Sequence, residues 1–280
     1  MKKPQLILIF LGLLLFSVLY FFTPRFAASI GNSTAQSTES QTVTTESILN
    51  TAKLALTESQ KIALLSIENQ LKSASNKGDS LKSLNALKQF WADSAQKLAP
   101  YLYFTYSAAL LENSEKSLTF AAQQLVDNLL TPDAPPALQP WIAGNAKVLL
   151  EKALVINPKN DSAKINLGAC YLFGNLSDNP MQGITKIKEV VDNDSTNSYG
   201  QFILALGGKK SGQYDKAIER FLTVLKIQPD HIEAMVHLAE CYELTSQKAL
   251  AIEWYTKVSN NVNIPEAKEA ISKRIQELKK

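Results

Sequence analysis

The pattern of apolar positions divides the chain into a short N-terminal run and a long helical body. The run is Leu6–Phe22, 17 residues without a charged side chain. A helix rises about 1.5 Å per residue, so this run is about 25 Å long as a helix and can span a bilayer core. The pattern predicts an N-terminal transmembrane helix within a membrane anchor of residues 1–26.

The competing interpretation of the N-terminus is a signal peptide that is removed. Its apolar stretch would be about 7–15 residues long, and small residues would follow at the cleavage site. Residues 27–29, Ala-Ala-Ser, offer such a site, but the apolar run is longer than usual and Arg25 intervenes. The length of the run favours the uncleaved anchor.

The charges that flank the run predict its orientation. Lys2 and Lys3 precede the apolar residues, and Arg25 alone follows them. Positive charge collects on the cytoplasmic side of a span, so the N-terminus is expected in the cytoplasm. We therefore expect a single-pass membrane protein whose body is extracytoplasmic, in the periplasm.

The rest of the chain reads as a linker followed by helices. Residues 27–45 are small and polar, a composition that predicts a flexible linker because it buries little apolar surface. From residue 46 onward apolar residues recur at spacings of three and four, and no stretch alternates long enough to be a strand. The predicted fold class of the body is all-α.

Polar residues and prolines mark helix ends in residues 46–140. Thr57 opens a capping box before a run of apolar residues. Asp79 or Ser80 is predicted to cap the next helix, and Pro100 to open the one after it. Asn113 is predicted to cap the helix that follows.

An internal repeat of 34 to 37 residues occupies the second half of the chain. Ala217 lies 34 residues after Gly183 and 34 residues before Ala251. The same spacings recur in a partner helix, at Leu167-Gly168, Leu204-Ala205 and Leu238-Ala239. Small residues let two antiparallel helices approach closely, and one such pair cannot bury its own apolar face. The repeat therefore predicts stacked helix pairs.

These segments resemble the tetratricopeptide repeat (TPR) family. The resemblance rests on INLGACY and HLAECY in first helices and on SGQYDKAIERF and QKALAIEWY in second helices. Gly208 departs from the pattern, which has a large residue at Tyr171 and Tyr242. The resemblance implies a right-handed α-solenoid in a membrane-anchored bacterial TPR protein. Its parts would be a degenerate TPR-like region at 46–140, a half repeat at 141–160, full repeats at 161–197, 198–231 and 232–264, and a capping helix at 265–280.

Composition and motifs argue against catalysis and nucleic-acid binding. Lys and Arg number 29 against 26 Asp and Glu, and a net charge of +3 is too small for a nucleic-acid surface. Residues 207–212, GGKKSG, lack the spacing of a phosphate-binding loop and follow a helix. No nucleophile–base motif is present. We expect no enzymatic activity and no cofactor.

Metal binding is not expected either. Glu233, His237 and Glu240 share a helix face at spacings that metal sites use. No further ligand is nearby in sequence, and His231 is placed on another face of the helix. These residues are interpreted as part of a solvated polar groove, and Asp127 as a surface charge.

The two cysteines are predicted to be free. Cys170 and Cys241 occupy equivalent positions two repeats apart. Neighbouring helices pack about 10 Å apart, which separates these positions by about 20 Å, whereas a disulfide requires Cα atoms within about 7 Å. Both are expected to be small core residues.

The resemblance also implies a binding site, because TPR arrays bind peptides or protein segments in a concave groove lined by first helices. Mapped onto this sequence, the groove residues are Ile165, Asn166, Leu172, Tyr199, Phe202, Ile203, Lys209, His237 and Glu240. Asn166 matches an asparagine of the clamp with which some members hold a terminal carboxylate, but the clamp lysines are absent. We expect the groove to accept an apolar or amphipathic segment with positive charge at one end. The alternative is that Tyr199, Phe202 and Ile203 pack against neighbouring helices.

The sequence thus predicts a membrane-tethered scaffold or adaptor without catalytic activity. Its partners would be proteins or peptide segments in a membrane-associated complex, and the membrane itself through residues 6–22. The alternative is a structural protein that self-assembles at the membrane as a homo-oligomer through the same helices.

Overall fold

The body of the protein is a series of α-helices. The computed structural model describes residues 43–131, 135–176 and 180–280, in which thirteen helices and no strands are present. The helices are α1 (Thr45–Leu54), α2 (Glu58–Ser73), α3 (Lys77–Gln89), α4 (Leu98–Glu112), α5 (Glu115–Leu130), α6 (Gln139–Ile156), α7 (Asp161–Phe173), α8 (Met181–Asn193), α9 (Ser198–Lys210), α10 (Tyr214–Ile227), α11 (Ile232–Leu244), α12 (Lys248–Asn261) and α13 (Pro265–Leu278). The predicted all-α class is confirmed.

The predicted anchor, residues 1–26, and residues 27–42 of the predicted linker lie outside the described residues. Within the described ranges, no helix combines the length and the apolar character that a membrane crossing requires. Val43–Lys280 forms one compact unit.

Successive helices pack as hairpins. The pairs α3/α4, α5/α6, α7/α8, α9/α10 and α11/α12 make the most extensive contacts of the fold, and α13 packs on α12. The first helices of four hairpins also contact one another in the order α5, α7, α9, α11. We call these four helices the first-helix row.

The helices of a hairpin approach most closely at small residues. A Cβ atom added to Gly168 of α7 would lie 2.8 Å from the carbonyl oxygen of Gly183 of α8, and one added to Gly183 would lie 2.5 Å from the carbonyl oxygen of Gly168. Alanines fill the corresponding places of the next two hairpins and are fully buried: Ala205, Ala217, Ala239 and Ala251. The predicted contact of small residues is therefore confirmed.

Large apolar residues occupy the space beside these contacts. Ile187, Phe221 and Tyr255 recur at one position of the second helices and are all buried. They belong to one continuous apolar core that reaches from Leu102 in α4 to Leu278 in α13. Each hairpin therefore completes the core of the next one.

Helix α1 lies against second helices of the hairpins. It contacts α4, and the indole Nε1 of Trp141 at the start of α6 donates a hydrogen bond to Thr45 Oγ1 at 3.0 Å. Thr44 and Ser47 form the capping box that begins this helix. The described chain therefore starts on the side of α4 and α6, away from the first-helix row.

The structure confirms one predicted helix cap and corrects another. Thr57 caps α2 in a capping box with Gln60. Helix α3 is capped by Asn76, whose Oδ1 accepts a hydrogen bond from the backbone N–H of Asp79 at 2.9 Å. The prediction of Asp79 or Ser80 was wrong because Asn76 reaches the free N–H groups of the first turn three residues earlier.

The boundary between α4 and α5 also differs from the prediction. Helix α4 begins at Leu98 and not at Pro100, so the proline lies inside the first turn, where its missing N–H leaves no bond unmade. Ser114 caps α5, and Asn113 ends α4 in the left-handed region at φ 53°. Asparagine tolerates this conformation better than most residues, which explains its place as a helix terminator.

We predict that Gly168→Ala lowers the free energy of unfolding by about 1–3 kcal/mol, because its methyl group would meet Ile187 and the backbone of Gly183. Gly144→Ala in α6 is the matched control, since a Cβ there meets nothing within 4 Å. The control should raise the free energy of unfolding by about 0.5–1 kcal/mol through helix propensity. Urea unfolding of the two variants measures both effects, and equal stability of the two would contradict the close approach.

Candidate protein-binding groove

A groove of about 520 Å³ opens on the first-helix row between α5, α9 and α11. We call it the first-helix groove. Its lining side chains come from three helix segments and are mainly apolar in the middle and ionisable at the edges: Asp127, Leu130, Thr131, Tyr199, Phe202, Leu206, His231, Ile232, Glu233, Val236 and His237. Three predicted groove residues, Tyr199, Phe202 and His237, are therefore together in one cavity.

Phe202 forms the floor of the groove and is also part of the core. Its ring packs edge-on to Phe221 at 6.0 Å between centroids and lies 4.8 Å from the ring of His231. The side chain is only 6% exposed, and the neighbouring Ile203 is fully buried. Both interpretations thus hold for Phe202, which lines the groove while it packs in the core, whereas Ile203 belongs to the core alone.

Three polar side chains tie α5, α7 and α9 together below the groove. Asn166 Nδ2 donates to Gln123 Oε1 at 2.6 Å, and Tyr199 Oη donates to Asn166 Oδ1 at 2.7 Å. Gln123 Nε2 donates to Tyr199 Oη at 3.1 Å and closes the ring. Burial raises the pKa of Tyr199, so its hydroxyl keeps the proton that it donates. The ring is a bridge between three helices of the first-helix row.

This bridge corrects the predicted role of Asn166. Asn166 is fully buried and uses its amide on Gln123 and Tyr199, so it cannot clamp a ligand in this arrangement. Ile165 is 1% exposed and does not line the groove either. The physical reason is that α7 lies beneath α5, which packs across it, so the side chains of α7 face neighbouring helices.

Leu172 is nearly buried and lies at another place. It lines a separate cavity between α7, α8 and α9, together with Met181 and Lys210. Burial lowers the pKa of Lys210, whose Nζ donates to the backbone oxygen of Leu172 at 3.0 Å. The structure therefore does not bring Leu172 together with the other predicted groove residues.

Lys209, His237 and Glu240 meet at one end of the first-helix groove. The Lys209 ammonium donates to the Glu240 carboxylate, and His237 Nδ1 lies 2.8 Å from Glu240 Oε2 and 3.1 Å from Lys209 Nζ. These contacts join α9 to α11. Burial alone would raise the pKa of Glu240, but hydrogen bonds from His237 and Lys209 lower it to about 2.

Two further carboxylates stand on the walls of the groove. Asp127 belongs to α5 and accepts a hydrogen bond from Gln123 Nε2 at 2.7 Å, and Glu233 belongs to the first turn of α11. Burial and, to a smaller extent, the charge of Glu233 raise the pKa of Asp127, while the bond from Gln123 opposes the rise. The two carboxylates thus interact repulsively across the groove.

Sequence reasoning missed Asp127 and His231 as groove residues. Asp127 was interpreted as a surface charge because α5 lies outside the recognised repeats. His231 was placed on another face from His237, yet it precedes the first turn of α11, where its Nδ1 accepts from the N–H of Ala234 at 3.3 Å. A residue at an N-cap does not follow the angular spacing of the helix, and a search for helix caps could have found it.

The cysteines are free and buried, as predicted. Burial raises the pKa of Cys170 to about 12 and that of Cys241 to about 11, so both remain thiols. In the part of the chain that the structure describes, no three His, Cys, Asp or Glu side chains are grouped so that they could hold a metal ion.

Comparisons with known proteins give a partial family match and distant structural likenesses. The family described as "Regulator of microtubule dynamics protein 1-3" matches residues 202–280, less than a third of the chain. This segment begins inside α9 and leaves α5, one wall of the groove, outside it. No curated protein matches the chain.

The solved structures similar to this chain include "MamA 41-end from Desulfovibrio magneticus RS-1", with 19% identity, coverage of 66% of this chain and 97% of that chain, and a TM-score of 0.43. Another is YrrB, described as "a TPR protein with an unusual peptide-binding site", with 17% identity, coverage of 74% and 97%, and a TM-score of 0.42. A further MamA structure is 18% identical, covers 69% of this chain and 92% of its own, and has a TM-score of 0.41.

We predict that the ion pairs of Glu240 stabilise the fold in a pH-dependent manner. The pKa of Glu240 falls from 4.5 to about 2 on folding, so its contribution is complete above about pH 4.5 and is lost as the pH falls towards 2. Because the site is partly exposed, we expect Glu240→Gln to cost about 1 kcal/mol at pH 6 and close to nothing near pH 2. Urea unfolding of both proteins across this range measures the difference.

The matched control is Glu253→Gln in α12. Glu253 is exposed and forms an ion pair one turn away with Lys257. We expect this variant to change the free energy of unfolding by less than about 0.5 kcal/mol at each pH. A cost of Glu240→Gln that does not change between pH 6 and pH 2 would contradict the assignment.

Proposed function

We propose that this protein is a membrane-tethered scaffold of the TPR type that holds a segment of a partner protein in the first-helix groove. The observation that carries the proposal is the groove itself, a cavity of about 520 Å³ with an apolar middle and ionisable edges on a row of stacked helices. Cavities of this size and composition are typical of binding sites. The proposal assigns no reaction to the protein.

The groove is suited to a protein segment because it presents apolar side chains that are only partly covered. Leu206, Ile232 and Val236 line it and are half-buried. An apolar side chain of a partner would complete their burial and gain about 25 cal/mol for each Å² removed from water. The polar edges would fix the orientation of the segment.

The placement of α1 is compatible with a tether. This helix packs on α4 and α6, so it does not occupy the groove on the first-helix row. We propose that residues 6–22 anchor the chain in the membrane, that residues 27–45 act as a flexible spacer, and that the body is periplasmic. A spacer of this length would hold the groove near the bilayer and raise its effective concentration for partners there.

We predict that a photo-crosslinking amino acid at Val236 captures a partner protein in cells, whereas the same residue at Leu222 does not. Val236 lines the groove, and Leu222 is an exposed apolar residue of the second helix α10. Val236→Gln should reduce partner recovery about tenfold without a change in melting temperature, and Leu222→Gln should leave it unchanged. Crosslinks with equal yield at both positions would contradict the groove. A crosslink of Val236 to a second copy of this chain would favour the self-assembling alternative.

We predict that the full chain stays in the membrane fraction after an alkaline wash, because residues 6–22 would be held by the hydrocarbon core. A chain that lacks residues 1–45 should move to the soluble fraction with an unchanged circular dichroism spectrum. Protease added to spheroplasts should digest the body of the full chain. An intact mass that begins near residue 28 would instead show a removed signal peptide, and protection from protease would contradict the periplasmic location.

A further inference from the structure

We propose that the first-helix groove selects a segment that carries a lysine or arginine beside an apolar residue, with the cation seated between Asp127 and Glu233. The inference rests on the proposed function and adds the chemistry of the partner. It is carried by a pair of carboxylates without a cation, by a lysine that is already engaged, and by the aromatic floor between them.

The first observation is the pair of carboxylates. Asp127 of α5 and Glu233 of α11 come from opposite walls of one cavity and are both exposed. No lysine or arginine in the described ranges pairs with either of them. The hydrogen bond that Asp127 accepts comes from the neutral amide of Gln123.

The two carboxylates also disfavour each other. Part of the rise in the pKa of Asp127 comes from the charge of Glu233, after the larger effect of burial. A cation between them would relieve the repulsion and would form charge-assisted hydrogen bonds with both. A ligand with a carboxylate at the same place would add to the repulsion.

The lysine of this chain that is nearest along the row does not fill that role. Lys209 lies at the end of the groove, where Glu240 and His237 hold its ammonium group. The remaining polar group on the groove wall, His231 Nδ1, accepts a backbone hydrogen bond and is therefore an acceptor in this arrangement. The acidic part of the groove thus needs donors from its ligand.

The floor favours a long cationic side chain over a small inorganic cation. Phe202 and Tyr199 lie between the two carboxylates and the apolar part of the groove. The methylene stem of a lysine or arginine can pack on such rings while its head reaches the carboxylates. The next apolar residue of the segment would then cover Val236.

The test selects random peptides on the full chain in lipid nanodiscs. Three forms are compared: the wild type, the double variant Asp127→Asn/Glu233→Gln, and the control Glu189→Gln/Glu219→Gln. The control removes the same two charges from exposed positions on the second helices α8 and α10. We expect peptides enriched on the wild type and on the control to have a Lys or Arg beside an apolar residue, and peptides enriched on the double variant to lack this preference.

The most enriched peptide is then synthesised with its Lys or Arg and with Gln in that place, and fluorescence anisotropy gives the dissociation constants. We expect the double variant and the Gln peptide each to weaken binding about tenfold, which is the effect of one charge-assisted hydrogen bond. The two changes together should weaken it no further, because they remove the same contact. The control variant should bind within about twofold of the wild type.

The outcomes separate this inference from the proposed function. Enriched peptides without an excess of Lys and Arg, or a basic peptide that binds the double variant as tightly as the wild type, would overturn the cation site and leave the scaffold standing. No enrichment over empty nanodiscs would overturn both. Retained binding of the Gln peptide by the double variant shows that the variant is folded.

Discussion

The close approach of two helix backbones at small residues is the constraint on which the rest of this structure depends. Gly168 and Gly183 face each other with no room for a Cβ on either side, and alanines take their place in the next two hairpins. Because the backbones meet there, Ile187, Phe221 and Tyr255 can fill the space one turn away and join each hairpin to its neighbour. The stacking of hairpins follows from this packing, since a lone hairpin would leave half of its apolar surface in water.

The groove is a consequence of how the first helices stack. The hydrogen-bonded ring of Gln123, Asn166 and Tyr199 joins α5, α7 and α9, and every member both donates and accepts. A fully satisfied polar network of this kind holds helices in a specific arrangement. Phe202 is anchored in the core on one side and faces the groove on the other. The binding surface is therefore built on rigid elements, which lowers the entropy that a ligand would have to remove.

Charge is divided unevenly along this groove. Lys209 neutralises Glu240 at one end with the help of His237, whereas Asp127 and Glu233 keep their charge on the opposite walls. The division gives the groove a direction, because an apolar segment with a cation can lie along it in one orientation better than in the other. With a flexible spacer and a membrane anchor, such a groove would act on partners that reach the same membrane surface.

The sequence by itself determined the all-α class, the hairpins and the small residues at their crossings, of which Gly168 is the clearest. These features depend on helical periodicity and on contacts between residues near in the chain. Only the tertiary structure decided which side chains are accessible. Ile165 and Asn166 have the register of groove residues, but α5 covers them, whereas Asp127 and His231 line the groove without any sequence signal of the repeats. The reason is that exposure in a stacked array depends on the angles between successive hairpins, which add up over the whole body and have no local pattern.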